Sequence, residues 1–426
     1  MTLHKVTQIV LACALLGLLL AACDSSSPTV VPTVPAVEVI APTPEMGTPE
    51  TAEITSPVEW FLPPASLASG WNVSLAPGQT EIVLLEPKEG EAQFHLLFLL
   101  TRGHKLYDRA IEVVLTTFQE RGIITSATVV LAMDPETKLA DVDKCLAALE
   151  YAEANGYDLI YPIGSDATAA VHDNYRGGDL PVVALLAKDP VLLGQMEAYD
   201  VGSGTNIAYT SVSVPVDIQM TYFRQLIPNL KNIVILYDQN NTSTVKTQVE
   251  PLDIYAAENG FNVIPIAVTQ VESNEATRAE LQALFPPIMN TLRHDDPNNN
   301  QSLFLLTNSS KIVDVFDEVV KLAGDIPVVS LLQEQVREGD VSAVMSVAVS
   351  FDSNSILAAI YGIRILQGGE DPGSLQVGLI TPPDVAINFM KARQINLQIP
   401  FTLFETASKV YDVEGALVRD KGQRIP

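Results

Sequence analysis

Polar side chains that could bind a small charged molecule follow several apolar runs of the sequence. The candidates in the first half of the chain are Thr101, Arg102, Ser165, Asp166 and Asp189. The Arg102 guanidinium could hold a carboxylate through two parallel N–H bonds. Ser165 opens a predicted helix, where a hydroxyl and free backbone N–H groups favour an anion. Asp189 could accept the ammonium group of a ligand.

Three of these residues also have an ordinary structural explanation, which the sequence leaves open. Ser165 could be only the N-cap of its helix. Arg102 could be a solvated surface charge. Asp189 precedes Pro190, and this order is typical of an N-cap followed by the first helical residue.

A second set of candidate ligand contacts lies further along the chain. It comprises Tyr237, Asn240, Asn308 and Ser330, each at or just after the end of an apolar run. Their aromatic, amide and hydroxyl groups could pack against a small molecule and hydrogen-bond to it. We expect them near the ligand because ligands of open α/β sheets bind at the carboxyl ends of the strands.

Two similar series of alternating strands and helices position these candidates. Continuous apolar runs indicate strands buried on both faces, as in a parallel sheet. The first series has predicted strands at 94–101, 128–132, 158–163 and 181–187, with helices at about 106–118, 137–155 and 165–175. The second has predicted helices at 215–226, about 242–258 and 310–323, with strands at 232–237, 262–268, 302–306 and 326–331. The pattern predicts an α/β protein with two Rossmann-like lobes, each with a parallel sheet, that enclose a cleft.

An ordered set of short segments resembles a known family. These segments are Gly164–Ala170, Pro181–Ala184, Lys188–Val191, Leu226–Asn229, Asn232–Tyr237, Ala358–Gly368 with Pro372, and Thr381–Pro400. Together they are similar to the ABC transporter substrate-binding proteins of type-I periplasmic-binding fold, a family that includes tryptophan and tyrosine binders. The resemblance covers roughly residues 93–402. The chain departs from the family pattern after Asn206, where Thr-Gly is usual, and in two extra segments, an N-terminal extension at 58–92 and an insertion near 270–300.

The resemblance implies a hinged cleft that closes on a small molecule, such as an amino acid or a related carboxylate. It also implies three crossovers between the lobes, near 207–213, 348–352 and 374–380. The first lobe is then 93–208 plus about 350–374, and the second is about 209–349 plus 375–426. The implied partners are an ABC permease and its ATPase, and the expected state is a monomer.

The N-terminus indicates export and lipid attachment. Residues 1–22 read as a signal peptide, with an apolar run at 9–20 that is too short for a permanent membrane span. The run ends in Leu20-Ala21-Ala22-Cys23, which resembles the lipobox of bacterial lipoproteins, so we expect lipid on Cys23. The alternative is a plain signal peptide with an incidental cysteine. Residues 23–57 form a Pro- and Thr-rich tether, which places the protein in the cell envelope.

Composition and motifs argue against other classes of function. A formal net charge of -26 argues against binding to nucleic-acid phosphates. Only Cys145 remains once the signal is removed and Cys23 carries lipid, so we expect neither a disulfide nor a cysteine metal site. The sequence has no nucleophile elbow, phosphate-binding loop or dinucleotide fingerprint. We therefore expect a protein that is not an enzyme and needs no cofactor.

The sequence leaves two other roles open. The same two-lobed binder could serve a signalling receptor, or it could act as a protein-interaction module without a ligand, because fold does not fix function.

Overall fold

The structure, a computed structural model, describes residues 58–137 and 140–425. The predicted signal peptide, the predicted lipidation site Cys23 and the predicted tether lie outside the described residues.

A seven-stranded sheet forms the centre of the first lobe. Its strands are β1 (Trp71–Leu75), β2 (Ile82–Pro87), β3 (Phe94–Leu100), β4 (Thr125–Leu131), β5 (Leu159–Ile163), β6 (Val182–Val183) and β7 (Ile207–Ala208). They lie in the order β1-β2-β4-β3-β5-β6-β7. From β4 to β7 every pair is parallel, whereas β1 and β2 are antiparallel to their neighbours. The central position of β3 explains its continuous apolar sequence, since Leu96–Leu100 are buried on both faces of the sheet.

A nine-stranded sheet forms the second lobe. Its strands are β8 (Asn232–Asp238), β9 (Asn262–Val268), β10 (Ser302–Leu306), β11 (Val328–Ser330), β12 (Met345–Ala348), β13 (Asp384–Asn388), β14 (Lys409–Tyr411), β15 (Leu417–Asp420) and β16 (Gln423–Arg424). They lie in the order β16-β15-β14-β13-β12-β11-β10-β8-β9. The strands from β12 to β9 are parallel, and β13 runs antiparallel to β12.

Helices connect these strands and cover the sheets. In chain order they are α1 (Ala65–Gly70), α2 (Lys105–Glu120), α3 (Val142–Ala154), α4 (Ser165–Tyr175), α5 (Val216–Leu226), α6 (Thr242–Thr244), α7 (Glu250–Asn259), α8 (Asn274–Asp295), α9 (Ser310–Asp314), α10 (Phe316–Ala323), α11 (Phe351–Leu366), α12 (Phe389–Gln394) and α13 (Phe401–Thr406). A π-helical turn, Val245–Val249, joins α6 to α7, and short 3-10 turns lie at Gln333–Gln335 and Pro372–Ser374. Helix α11 packs on α2 and so belongs to the first lobe, although it follows β12 of the second. The predicted α/β fold class with two lobes is confirmed.

Segment 58–92, predicted as an N-terminal extension, adds β1 and β2 to the first sheet. Strand β2 pairs with β4 along its length. Val83 and Leu85 of β2 are completely buried, and the Trp71 indole donates a hydrogen bond of 3.0 Å to the Thr125 carbonyl. The extension is therefore part of the lobe's hydrophobic core.

The segment near 270–300, predicted as an insertion, contains the long helix α8. Its apolar face, with Leu281, Phe285 and Leu292, packs into the core of the second lobe. The Phe285 and Phe304 rings stack with centroids 5.1 Å apart. Much of this segment therefore supports the second sheet.

Several element boundaries match the sequence prediction, and others differ for local reasons. Helix α4 and strands β9 and β10 coincide with the predicted spans. The predicted strand at 181–187 is reduced to β6, because the chain turns at Leu186, whose φ is 54°. The predicted helix at 310–323 breaks between α9 and α10 at Val315, whose φ of -113° and ψ of 19° are not helical.

The chain passes between the two sheets three times. It leaves the first sheet after β7, returns to the first lobe after β12, and reaches β13 after Gly378, which forms a bridge with Thr210. These passages lie near the predicted crossovers, and the exact lobe boundaries stay a prediction.

Candidate functional site

A cavity of about 60 Å³ lies between the two lobes, at the carboxyl ends of the parallel strands. Loops after β3, β5 and β6 supply Arg102, Ser165 and Lys188 from the first lobe. Loops after β8 and β10 supply Ser243 and Asn308 from the second. Both sheets therefore direct polar groups into one shared space, as the rule for open α/β sheets predicts.

An outer groove of about 820 Å³ adjoins this cavity and shares part of its lining. Arg102, Asp166 and Ser310 line both spaces. The cavity itself is smaller than the roughly 300–1,000 Å³ typical of ligand pockets. Its wall combines polar groups with apolar side chains from both lobes, which are Leu106, Tyr107, Leu186, Val212, Val313, Leu332 and Phe351.

Arg102 connects the two lobes across the cavity. Its guanidinium forms an ion pair of 2.9 Å with Asp166 of the first lobe. The same group donates a hydrogen bond to the Ser310 hydroxyl of the second lobe. The two predicted contacts Arg102 and Asp166 thus lie together, and the planar cation is held in a fixed orientation.

Lys188 is a second cation in the cavity, and the sequence reasoning missed it. Its side chain is only 6% exposed. The ammonium group donates to the Thr244 hydroxyl at 2.6 Å and to the Ser243 hydroxyl at 3.3 Å, both in the second lobe. Burial lowers the pKa of Lys188 to about 7, which the nearby carboxylate of Asp166 partly opposes.

Gly164 and Ser165 shape the floor of the cavity where α4 begins. Gly164 is the N-cap residue, with a φ of 84° that favours glycine. A Cβ at this position would lie 2.7 Å from the Tyr107 hydroxyl. Ser165 is therefore not the N-cap, contrary to one of the two explanations of this residue. Its hydroxyl accepts a 3.1 Å hydrogen bond from the Lys188 backbone N–H and so positions the Lys188 loop.

Asn308 lines the cavity from the second lobe and is held by Gln248. The Gln248 amide donates to the Asn308 side-chain oxygen at 2.8 Å, and the Asn308 backbone N–H donates back to Gln248 at 3.3 Å. Asn240 lies in the outer groove and not on the inner cavity. Gln248 was not foreseen, because its role depends on contact between the π-helical turn Val245–Val249 and the loop after β10.

The structure places the remaining predicted contacts away from the cavity lining. The Asp189 carboxylate accepts from the Val191 and Leu192 backbone N–H groups and from the Tyr199 hydroxyl, at 2.7 to 3.0 Å. An aspartate that accepts from backbone N–H groups two and three residues further along the chain stabilises a turn. The others are Thr101, which is buried, Tyr237, which packs into the core, and Ser330, which donates to the Gln335 side chain at 2.8 Å. Any ligand contact by these residues stays a prediction.

Among residues 58–137 and 140–425, no group of His, Cys, Asp and Glu side chains could hold a metal ion. Within the same described part, none of the helices is both long and apolar enough to cross a membrane.

A family model identifies the protein family of this two-lobed chain. The model of the family described as "ABC transporter substrate binding protein" matches residues 104–411. The chain belongs to the ABC transporter substrate-binding protein family. The resemblance read from the sequence is thereby confirmed. Proteins of this family bind solutes outside the cytoplasm and are not catalytic, so the family supports a solute-binding role for this chain.

Solved structures show the same fold at low sequence identity. The chain is similar to a conserved domain protein from Vibrio cholerae, with a TM-score of 0.59, 16% identity, and coverage of 74% of this chain and 99% of that one. It is similar to an ABC domain from Streptococcus pneumoniae in complex with L-Trp, with a TM-score of 0.58, 20% identity, and coverage of 75% and 100%. A ligand-free, open substrate-binding protein with adhesive properties from Clostridium difficile has a TM-score of 0.54, 18% identity, and coverage of 75% and 98%. Among curated proteins, no significant match was found.

Proposed function

We propose that this family member is a lipid-anchored solute-binding protein that captures a small carboxylate, such as an amino acid, and delivers it to an ABC import permease. The observation that carries this proposal is the cavity between the lobes, on which cations and hydroxyl groups converge. Arg102 and Lys188 each contact both the cavity and the opposite lobe.

The same contacts support a mechanism by hinge closure. The cleft opens when the lobes separate at the three crossing segments, which breaks the bonds from Arg102 to Ser310 and from Lys188 to Thr244. A ligand that enters the open cleft is then enclosed as these bonds form again. Because both lobes supply parts of the lining, the ligand contacts both lobes only in the closed form. A permease can therefore distinguish the loaded protein from the empty one.

A thermal-shift screen tests the solute-binding role. The mature chain with Cys23→Ser is heated with amino acids, aromatic metabolites, short peptides, sugars and nucleosides. A ligand at a hundredfold excess over its dissociation constant adds about 2.7 kcal/mol to the free energy of unfolding, which is easily measured. We expect one class containing a carboxylate to raise the melting temperature.

Arg102→Met provides the matched test of the site. It removes a cation from the cavity and should weaken the stabilising ligand at least tenfold, since a charge-assisted bond contributes about 1.5–3 kcal/mol. Arg121→Met, at the exposed end of α2, removes the same charge away from the cleft and should leave binding unchanged. No shift with any class, from a folded and ligand-free sample, contradicts the proposed function.

The lipid anchor has its own test. Growth of the expressing cells with an alkyne-labelled fatty acid should label the wild-type protein and not the Cys23→Ala variant. Equal labelling of the wild type and the variant would contradict lipid attachment at Cys23.

A further inference from the structure

Lys188 is the buried cation of the cavity that has no carboxylate partner. Its two side-chain contacts are the neutral hydroxyls of Ser243 and Thr244. Among the described residues, no carboxylate lies within ion-pair distance of its ammonium group, although nine ion pairs are formed there by other lysine and arginine side chains. A buried charge is stable only when it is paired or well hydrogen-bonded. The closed cleft therefore holds a buried amine that, when protonated, has two hydroxyl acceptors but no counter-ion.

The neighbouring charged and titratable groups do not supply that counter-ion. Asp166 of the first lobe faces Lys188 but is paired with Arg102. Asp238 of the second lobe also faces it, at a greater distance than an ion pair. The cavity lining further includes His104 and Tyr107, neither of which carries a negative charge at neutral pH. When Lys188 is protonated, the side chains that line the cavity carry one more positive than negative charge. The net charge of the whole chain, in contrast, is -26.

We propose that the ligand supplies this missing charge, so that Lys188 is the residue that selects a small carboxylate over neutral molecules of the same size. The proposal rests on the solute-binding function above and names the ligand group that Lys188 contacts. A carboxylate oxygen accepts a charge-assisted hydrogen bond from the Lys188 ammonium, and Arg102, which keeps its ion pair with Asp166, donates to the same carboxylate through another of its five N–H groups.

Ligand binding is then coupled to the uptake of a proton. In the empty closed cleft, burial lowers the pKa of Lys188 to about 7, so the amine loses its charge as the pH rises above neutrality. A bound carboxylate raises that pKa again because it favours the charged form. Affinity is then constant below about pH 7 and weakens by up to tenfold per pH unit above it.

Isothermal titration calorimetry of the mature chain with Cys23→Ser tests both the selection of a carboxylate and the uptake of a proton. The probes are acetate, pyruvate, L-lactate, succinate, glycine and L-alanine, with acetamide and glycerol as neutral analogues and inorganic phosphate as an alternative anion. We expect at least one carboxylate to bind and the neutral analogues not to bind. At pH 8, titrations in two buffers of different ionisation enthalpy should show an uptake approaching one proton, which disappears at pH 5.5.

Two variants assign the effect to Lys188. Lys188→Met should weaken the binding carboxylate at least tenfold and abolish the proton uptake. Lys188→Gln, which keeps a hydrogen-bond donor near Thr244 without the charge, should lose affinity to a similar degree. Both variants should melt at or above the wild-type temperature at pH 6, because each removes a buried cation from the empty protein. Lys311→Met is the matched control, since Lys311 lines only the outer groove, and it should bind the carboxylate as the wild type does.

The outcomes separate this inference from the proposed function. If a carboxylate binds but Lys188→Met changes its affinity less than threefold, Lys188 does not select the anion, and the solute-binding role stands. Binding of phosphate alone would replace the carboxylate as the ligand class and overturn the proposal. If only a neutral solute of the wider screen binds, the inference fails while the solute-binding role remains.

Discussion

Replacement of Asp108 by asparagine should stabilise the protein at pH 8. Asp108 lies on α2 and is 2% exposed. One carboxylate oxygen accepts a 3.0 Å hydrogen bond from the Leu62 backbone N–H, and the other has no partner in the described structure. Burial raises the pKa of Asp108 from 3.8 to about 7, which the bond from Leu62 only partly opposes. The folded protein therefore holds an ionised carboxylate at pH 8 in an unfavourable site.

The size and sign of the change in stability follow from the pKa of Asp108 in the unfolded and in the folded state. In the folded state the pKa is above its unfolded value, so its contribution to stability is complete below about pH 4 and is lost as the pH rises through 7. A difference of about 3 pKa units corresponds to roughly 4 kcal/mol at 1.36 kcal/mol per unit. The asparagine amide keeps the acceptor for Leu62 but leaves its own N–H groups unpaired, which costs about 1–3 kcal/mol. We therefore expect Asp108→Asn to stabilise by about 1–3 kcal/mol at pH 8. At pH 4.5 the ionisation of Asp108 costs only about 1 kcal/mol, so the substitution should be neutral or destabilise by up to about 2 kcal/mol.

Urea unfolding at the two pH values measures this difference. Asp143→Asn, at an exposed position in the first turn of α3, is the control for the loss of one negative charge. The other carboxylates titrate equally in wild type and variant, so they cancel in the comparison. If Asp108→Asn destabilises the protein at pH 8, or if its effect is the same at both pH values, ionised Asp108 is not in an unfavourable site.

Three further substitutions test the packing of two helices and the contribution of one surface ion pair. Gly362→Ala should destabilise by about 1–3 kcal/mol in thermal unfolding, because its Cβ would lie 2.0 Å from the Tyr161 hydroxyl. A variant as stable as wild type would mean that α11 can move away from the first sheet. Phe285→Ala, which removes the ring stacked on Phe304, should cost about 3–5 kcal/mol in urea unfolding. A cost below 1 kcal/mol would show that α8 is peripheral. Lys144→Ala breaks a partly exposed ion pair of 2.6 Å and should change stability by less than about 1 kcal/mol. A larger loss would contradict the view that solvent screens this pair.

The sequence predicted the order of strands and helices well, because each buried strand needs a continuous apolar run. The sequence left open which individual side chains line the cleft, since neighbouring residues of a strand point in opposite directions. At the end of β3, Arg102 lines the cavity while Thr101 does not. At the end of β8, Asp238 lines the outer groove while the predicted Tyr237 packs into the core. The sequence shows where a strand ends but not which of two adjacent side chains faces the cleft.

Lys188 was missed for a different reason. A lysine in a loop usually indicates an exposed cation, and burial of this one depends on hydroxyl groups of the other lobe. Those partners, Ser243 and Thr244, are more than 50 residues away in the chain. Asp189 next to it was interpreted both as a helix cap and as a ligand contact. No helix begins there, and the Asp189 carboxylate instead accepts from the Val191 and Leu192 backbone N–H groups of a turn.

The pairing of β2 with β4 has a practical consequence for how the protein can be shortened. The family match begins at residue 104, which invites removal of everything before it. Any fragment that starts near residue 93 would lose β1 and β2 and leave β4, Thr125–Leu131, as an open edge. Unpaired backbone groups on an apolar edge strand recruit strands from other molecules. Such a fragment would aggregate even with an intact cleft, so the natural limit for truncation lies before Trp71.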